Sequence, residues 1–204
     1  MRSAAVHRTA EPRQQRAIAT RANLLASVER IVAAEGADAV TTTRVAAETG
    51  AAVGTIYRYF ADREQMLLEA YDATVARLVA TCRAALDEMP ANAPIGEVSR
   101  RLLDVYLDAA DAIPAHAGLL AAMRRLRPLE AAATANGNRI RDEIIAPFFA
   151  RFSNAAADPL RLHVVNTVIA TLVDIYLITP EPAARAILRE EIEAHALFMI
   201  GRMG

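Results

Sequence analysis

The chain has 204 residues, 54% of them hydrophobic, with a formal net charge of -1 and a single cysteine, Cys82. That length can bury a sizeable core, or one small and one larger domain sharing an interface; the near-zero charge excludes a general polycation, and a lone thiol excludes an internal disulfide and suits a reducing cytosol. No apolar run approaches the length that spans a bilayer and no signal-peptide core opens the chain, so the expectation is an all-α, cytoplasmic protein without a membrane partner.

Residues 1–13 carry Arg2, His7, Arg8 and Arg13 with no hydrophobic period. They read either as a frayed tail or as a basic arm that touches phosphate or a minor groove. A helix follows from about residue 14 to Gly36, with Leu24, Leu25, Val28, Ile31 and Val32 on one face. Thr41 to Phe60 then reads as two short helices around a tight turn. Thr41 is the N-cap of the first, Val45 and Ala46 supply its apolar face, and Gly50 ends it because glycine enters the left-handed region without a Cβ penalty. The second is expected over residues 53–60. Two helices joined by a short glycine turn are the layout of a helix-turn-helix, whose second helix enters the major groove, although turn and periodicity alone also fit an ordinary helical hairpin.

Asp62 is the expected cap of a long helix running to about Glu88, on a stripe that includes Met66, Leu67, Tyr71, Val75, Leu78, Cys82 and Leu86. Pro90 and Pro94 bracket a linker. Val98, Leu102, Val105 and Tyr106 mark one further helix, and Leu119, Leu120, Met123 and Leu126 another, each ended by a proline. Residues 128–152 read as one long helix interrupted by a turn at Asn136-Gly137-Asn138 and a kink at Pro147. Asp158-Pro159 opens a helix that is apolar almost all round, and such a helix must be covered on several sides. A final helix follows Pro182.

The run T-x-x-x-V-A-x-x-x-G-A-x-x-G-T-I-Y-R-Y-F-A-D-R-E-x-M-L, Thr41 to Leu67, closely resembles the signature of the TetR family of bacterial transcriptional repressors, and the match extends upstream through Thr20-Arg21 and Gly36. Charge agrees with a reading head at this end: residues 1–60 hold eight arginines against five acids, residues 61–204 fifteen against nineteen. The resemblance implies a three-helix DNA-binding domain over residues 14–61, behind the 1–13 arm, and an effector-binding and dimerisation domain over 62–204. It also implies phosphate contacts by Thr20, Arg21, Thr41, Thr42, Thr43, Tyr57, Tyr59 and Arg63. Val53, Thr55 and Arg58 are candidates for base edges, since Arg grips guanine O6 and N7 in bidentate fashion and Thr meets a polar edge or a thymine methyl. The sequence departs from the family at Ala52 and Val53, where Ser and a polar residue are common, so one contact is in doubt.

The resemblance implies a dimeric, ligand-responsive repressor bound to a palindromic operator and released by a small apolar or aromatic effector. Candidate cavity residues are Tyr71, Tyr106, His116, Met123, Asn138, Asn166, Asp174 and Tyr176. Asn166 and Asp174 interrupt an apolar helix, and a ligand, a water or a second subunit could each satisfy them. Candidate dimer contacts are Val165, Ile169, Leu172, Tyr176, Ile192, His195 and Met199. No catalytic set or metal-ligand spacing emerges from the four histidines and Cys82, and no cofactor is expected. The competing readings are a helical protein–protein interaction module that has lost DNA binding, and a redox switch at Cys82.

Overall fold

A computed structural model describes residues 11–127, 139–153 and 158–202, and every regular element among them is helical. Helix α1, Glu11–Glu35, begins three residues before the expected start, so the expected arm gives up its last three residues to a helix; residues 1–10 lie outside the described residues. A 3-10 turn, Ala37–Ala39, leads into α2, Thr42–Thr49. As the sequence indicates, Thr41 caps α2, its hydroxyl accepting from Arg44 N at 3.0 Å, and Gly50 closes it at φ 68°. Helix α3 covers only Val53–Tyr57, shorter than the expected 53–60. Beyond Tyr57 the chain turns: Tyr59 N and Phe60 N both donate to Ile56 O, which drops the Phe60 ring into the core before Asp62 starts the next helix.

That helix, α4, Arg63–Glu88, is capped by Asp62, whose carboxylate accepts from Gln65 N at 2.7 Å, while Gln65 Oε1 accepts from Ala61 N at 2.6 Å. Helices α5, Ile95–Asp111, and α6, His116–Leu126, follow. Residues 128–138, including the expected turn at Asn136 to Asn138, lie outside the described residues. Beyond them the helical stretch Arg141–Ile145 is wound wide, with Ala146 N donating five residues back to Arg141 O, and runs straight into α7, Ala146–Phe152. Pro147 supplies the reason. It has no N–H to give, and its ring would press on the carbonyl four residues back, which the wider turn relieves. Asp158 caps α8, Pro159–Ile178, through Leu160 N and Arg161 N, and α9, Pro182–Gly201, ends the described chain.

One hydrophobic core joins the two ends of the molecule. Val45, Ile56 and Phe60 are sealed against Leu24, Val28 and Ile31 of α1, and the same cluster continues through Met66 and Leu67 of α4 to Leu119 and Leu120 of α6 and Tyr176 of α8. A second cluster gathers Leu86, Val98, Phe148, Phe149, Leu162 and Val165 at the far end of the body. Helix α8 corrects one expectation. At 20 residues with a mean hydropathy of 1.5 it is long and apolar enough to cross a bilayer, although Asn166 and Asp174 break the uninterrupted run on which the sequence reading relied. Leu162, Val165, Val173, Tyr176 and Leu177 are buried against the protein, so here this composition serves a packed bundle on one side.

Helix α6 reaches the head because Gly118 carries no side chain: a Cβ there would lie 2.7 Å from Val32 Cγ1. Valine is stiff about χ1 and cannot swing away. Gly118→Ala should therefore destabilise the fold by about 1 kcal/mol, overpacking outweighing the gain in helix propensity. In a Val32→Ala background the same change should stabilise. Urea denaturation of the four proteins in this cycle checks both signs.

Candidate functional site

The head presents α3 and the start of α2. Tyr57 is 56% exposed, Val53 and Arg58 are exposed, and Thr55 is half-buried beside the sealed Ile56. Arg58 lies over the Tyr59 ring, its guanidinium carbon 5.2 Å from the centroid, and donates weakly to the Tyr59 hydroxyl at 3.4 Å. At the start of α2, Thr41 and Thr43 are exposed and their hydroxyls share a hydrogen bond at 3.1 Å; Thr42 is half-buried. Free N–H groups and the helix dipole at such a start favour an anion. Ala52 makes no side-chain cap on α3, as its methyl requires.

Three expected phosphate contacts are already engaged within the protein. Thr20 donates to Arg16 O at 2.8 Å. Arg21 pairs with Glu69 and sits over the Phe60 ring. Arg63 donates through Nε to Val40 O and through Nη2 to Ala37 O, both at 2.8 Å, and pairs with Asp38 at 3.1 Å. This last set ties the start of α4 to the loop ahead of α2, which the sequence pattern gave no means to foresee.

The body contains a cavity of about 710 Å³ bounded by α4, α5, α6, the wide stretch Arg141–Ile145, α7, α8 and α9. Of the expected lining residues, Tyr71, Tyr106, Met123, Asn166 and Asp174 face it, together with Arg124, Arg125, Arg127, Phe148 and Phe149, which sequence reasoning passed over. Asn138 lies outside the described residues. His116 and Tyr176 stand apart from the wall. His116, 2% exposed, stacks on the Tyr71 ring at 6.1 Å where α6 meets the head. Tyr176 turns the other way and donates to Asp111 at 2.8 Å beneath the Arg185 guanidinium.

Electrostatics in the cavity follow from desolvation. Asp174 pairs with Arg124, yet burial raises its carboxyl above the usual range despite that partner. Burial likewise pushes up the Tyr71 and Tyr106 hydroxyls, with Asp174 adding to both. Neither hydroxyl, nor the Asn166 amide, has a hydrogen-bond partner among the described residues. Cys82 also lines the cavity, and burial pushes its thiol up to about 12, which leaves it protonated and a poor nucleophile; that argues against the redox reading.

Two faces of α8 and α9 divide the expected dimer contacts. Val165, Tyr176 and Ile192 are buried inside the protomer; because α8 is apolar all round, the pattern could not say which of its sides faces in. Ile169, Leu172 and Met199 are half-buried and His195 is exposed. The exposed apolar stripe is made instead by Leu160 (69% exposed), Val164, Ile175 and Ile178 of α8 with Ile187 and Phe198 of α9, both 62% exposed. Thr167 and Thr171 continue it, their hydroxyls turned back to His163 O and Thr167 O at 2.8 Å.

Residues 24–70 match the family model described as bacterial regulatory proteins, tetR family. The chain belongs to the TetR family. Its fold is shared by solved members. A TetR-family transcriptional regulator from Streptomyces coelicolor superposes with a TM-score of 0.62 at 20% identity, covering 90% of this chain and 99% of that one. FadR from Bacillus subtilis, in complex with stearoyl-CoA, gives 0.61 at 14% identity over 87% and 96%. RolR in complex with resorcinol gives 0.63 at 18% identity over 91% and 93%. Among curated proteins no sequence matches significantly. This TetR-family chain is a DNA-binding regulator by its head, and identities this low carry the fold alone.

His116 yields a pH prediction. Burial lowers its pKa from 6.5 to about 4, with Asp111 opposing and Arg77 adding to the shift. The unfolded chain then binds more protons than the native one between those values, so this contribution to stability is full above the unfolded pKa and is lost as pH falls toward the folded one. The loss should approach about 3 kcal/mol. Urea midpoints across that window should show it, and His116→Leu should remove that part of the slope.

Proposed function

We propose that this regulator is a cytoplasmic dimeric repressor, without catalytic activity, that binds a roughly palindromic operator and is released by a small apolar or aromatic effector in the body cavity. The division of labour follows the expected boundary, residues 14–61 reading DNA and residues 62–204 holding effector and partner. The observation that carries the reading is the cavity itself: a void of about 710 Å³ walled by α4, the same helix whose first residue, Arg63, ties down the loop ahead of α2. Such a volume is that of a small-molecule site. The ligands held by the structural relatives, stearoyl-CoA in one and resorcinol in another, support an apolar or aromatic occupant.

On DNA, Tyr57 and Tyr59 serve as phosphate anchors and Arg58 as a base reader, with Val53 and Thr55 beside it. The committed Arg63 supports the head from behind in the free protein, and any phosphate contact would have to draw on the same guanidinium. A ligand shifts the equilibrium only by its differential affinity for the two spacings of the heads, so a hundredfold loss of operator affinity needs about 3 kcal/mol of such preference.

Two measurements test this. Selection of bound duplexes followed by fluorescence anisotropy should give specific binding that weakens steeply with salt. Arg58→Ala should relax base preference by about 1–3 kcal/mol at one position, whereas Tyr57→Phe should weaken all sequences alike; equal affinity for every duplex would refute the repressor reading and favour an interaction module. Separately, the exposed apolar stripe is the face offered to a second copy, and Ile175→Arg should convert a dimer in sedimentation into a folded monomer. A monomeric parent at micromolar concentration would exclude the dimer.

A further inference from the structure

Three arginines at the end of α6 line the cavity, and each holds an acid on a different element. Arg124 pairs with Asp174 of α8, Arg127 with Asp72 of α4 at 3.3 Å, and Arg125 approaches Asp38 of the 3-10 turn in the head at 3.7 Å. Among the described lining residues Asp174 is the one acid beside the three arginines, while Asp72 and Asp38 meet Arg127 and Arg125 from outside the lining. The hydrogen-bonding groups left uncommitted there are the Tyr71 and Tyr106 hydroxyls and the Asn166 amide, each able to donate or accept, and the remaining guanidinium N–H groups, which only donate. The opposite end is different. The cavity runs along α4 from Tyr71 to Cys82, ~16 Å by helical rise. Charges of Asp174, Arg124, Asp72 and Arg127 all reach the Tyr71 hydroxyl, whereas the Cys82 thiol is perturbed by burial alone. Phe148, Phe149 and Val165 wall the apolar part as members of the second core cluster.

We infer that the effector is an acidic amphiphile, its anionic head held by Arg124, Arg125 and Arg127 and its hydrocarbon body laid along α4 toward Phe148 and Phe149. This rests on the ligand-responsive reading above and adds the chemistry of the ligand and its point of action. A carboxylate arriving at this cluster is met by guanidinium forks and free hydroxyls, the donors that suit it. A lipophilic cation would have to displace Arg124 from Asp174 and would then face the other two arginines. Burial raises the Asp174 carboxyl, so a proton can take the place of Arg124 on it at a higher pH than on an exposed acid. The head group also competes with three acids for its arginines. Since Asp38 is held by both Arg125 and Arg63, occupation of the cavity loosens the one ionic contact from the end of α6 to the head among the described residues.

The test uses the full chain and three probes of equal length at micromolar concentration: dodecanoate, 1-dodecanol and dodecyltrimethylammonium. Equilibrium dialysis should show dodecanoate binding at least about tenfold more tightly than either of the others, and anisotropy should show it releasing the selected operator duplex. Arg125→Gln, at an exposed position, should weaken dodecanoate several-fold while leaving dodecanol unchanged. The double change Arg124→Gln with Asp174→Asn removes both charges together, so no lone buried charge is left, and should erase the preference for the acid. Dodecanol or dodecyltrimethylammonium binding as tightly as dodecanoate overturns the acidic-head assignment; if such a compound still releases the duplex, the ligand-responsive reading survives without it. Tight dodecanoate binding that leaves the DNA complex intact upholds the site and overturns the ligand-responsive reading. Failure of all three probes to bind overturns the inference.

Discussion

Everything in this molecule depends on how two very short helices are held. Helix α2 has eight residues and α3 has five, lengths at which an isolated helix does not persist in water. They exist because Val45, Ile56 and Phe60 are withdrawn from solvent against α1 and the start of α4. The reading surface therefore has no conformation of its own to fall back on. It takes its position from the helices behind it, and those helices belong to the same core as the body.

That continuity gives a regulator its means of transmission. Helix α4 runs from the head to the far cluster, its first residue fixed to the loop ahead of α2 and its last turns packed beside α5 and α7. Helix α6 makes the second connection, close enough to α1 that only glycine fits at position 118. Close-packed elements of this kind move as bodies and do not deform smoothly. Under the proposed function, a ligand between them would act on the head by choosing among packings, its leverage limited to its preference for one of them.

The cavity shows why polar residues in an apolar body repay attention. A carboxylate, two phenols and an amide line it, each at least partly withdrawn from solvent, and only the carboxylate has a hydrogen-bond partner within the described residues. Each uncommitted group costs free energy until something satisfies it. That cost is the physical basis for reading the void as a site, in contrast to the dry, fully apolar gaps that ordinary cores contain. The exposed stripe on α8 and α9 makes the complementary case: apolar surface left in water, which a second copy of the chain would relieve under the proposed function.

The sequence by itself determined the local structure and the family. Caps at Thr41, Asp62 and Asp158, the glycine at position 50 and the spacing of Val45, Ile56 and Phe60 are decided by neighbours along the chain, and each appears where the residues demand it. It also marked Asn166 and Asp174 as out of place, since a polar residue in an apolar run is visible in one dimension. Only the tertiary structure decided which way the all-round apolar α8 faces, that Val165 and Ile192 turn inward while Ile175 and Phe198 turn outward, and that Arg63 serves the head from within. A periodic pattern names a face only when the opposite face is polar, and an arginine's partner more than twenty residues away leaves no trace beside it in the chain. The meeting of Arg124, Arg125 and Arg127 with acids on three separate elements is of that second kind, written in the packing of helices and in no local stretch of sequence.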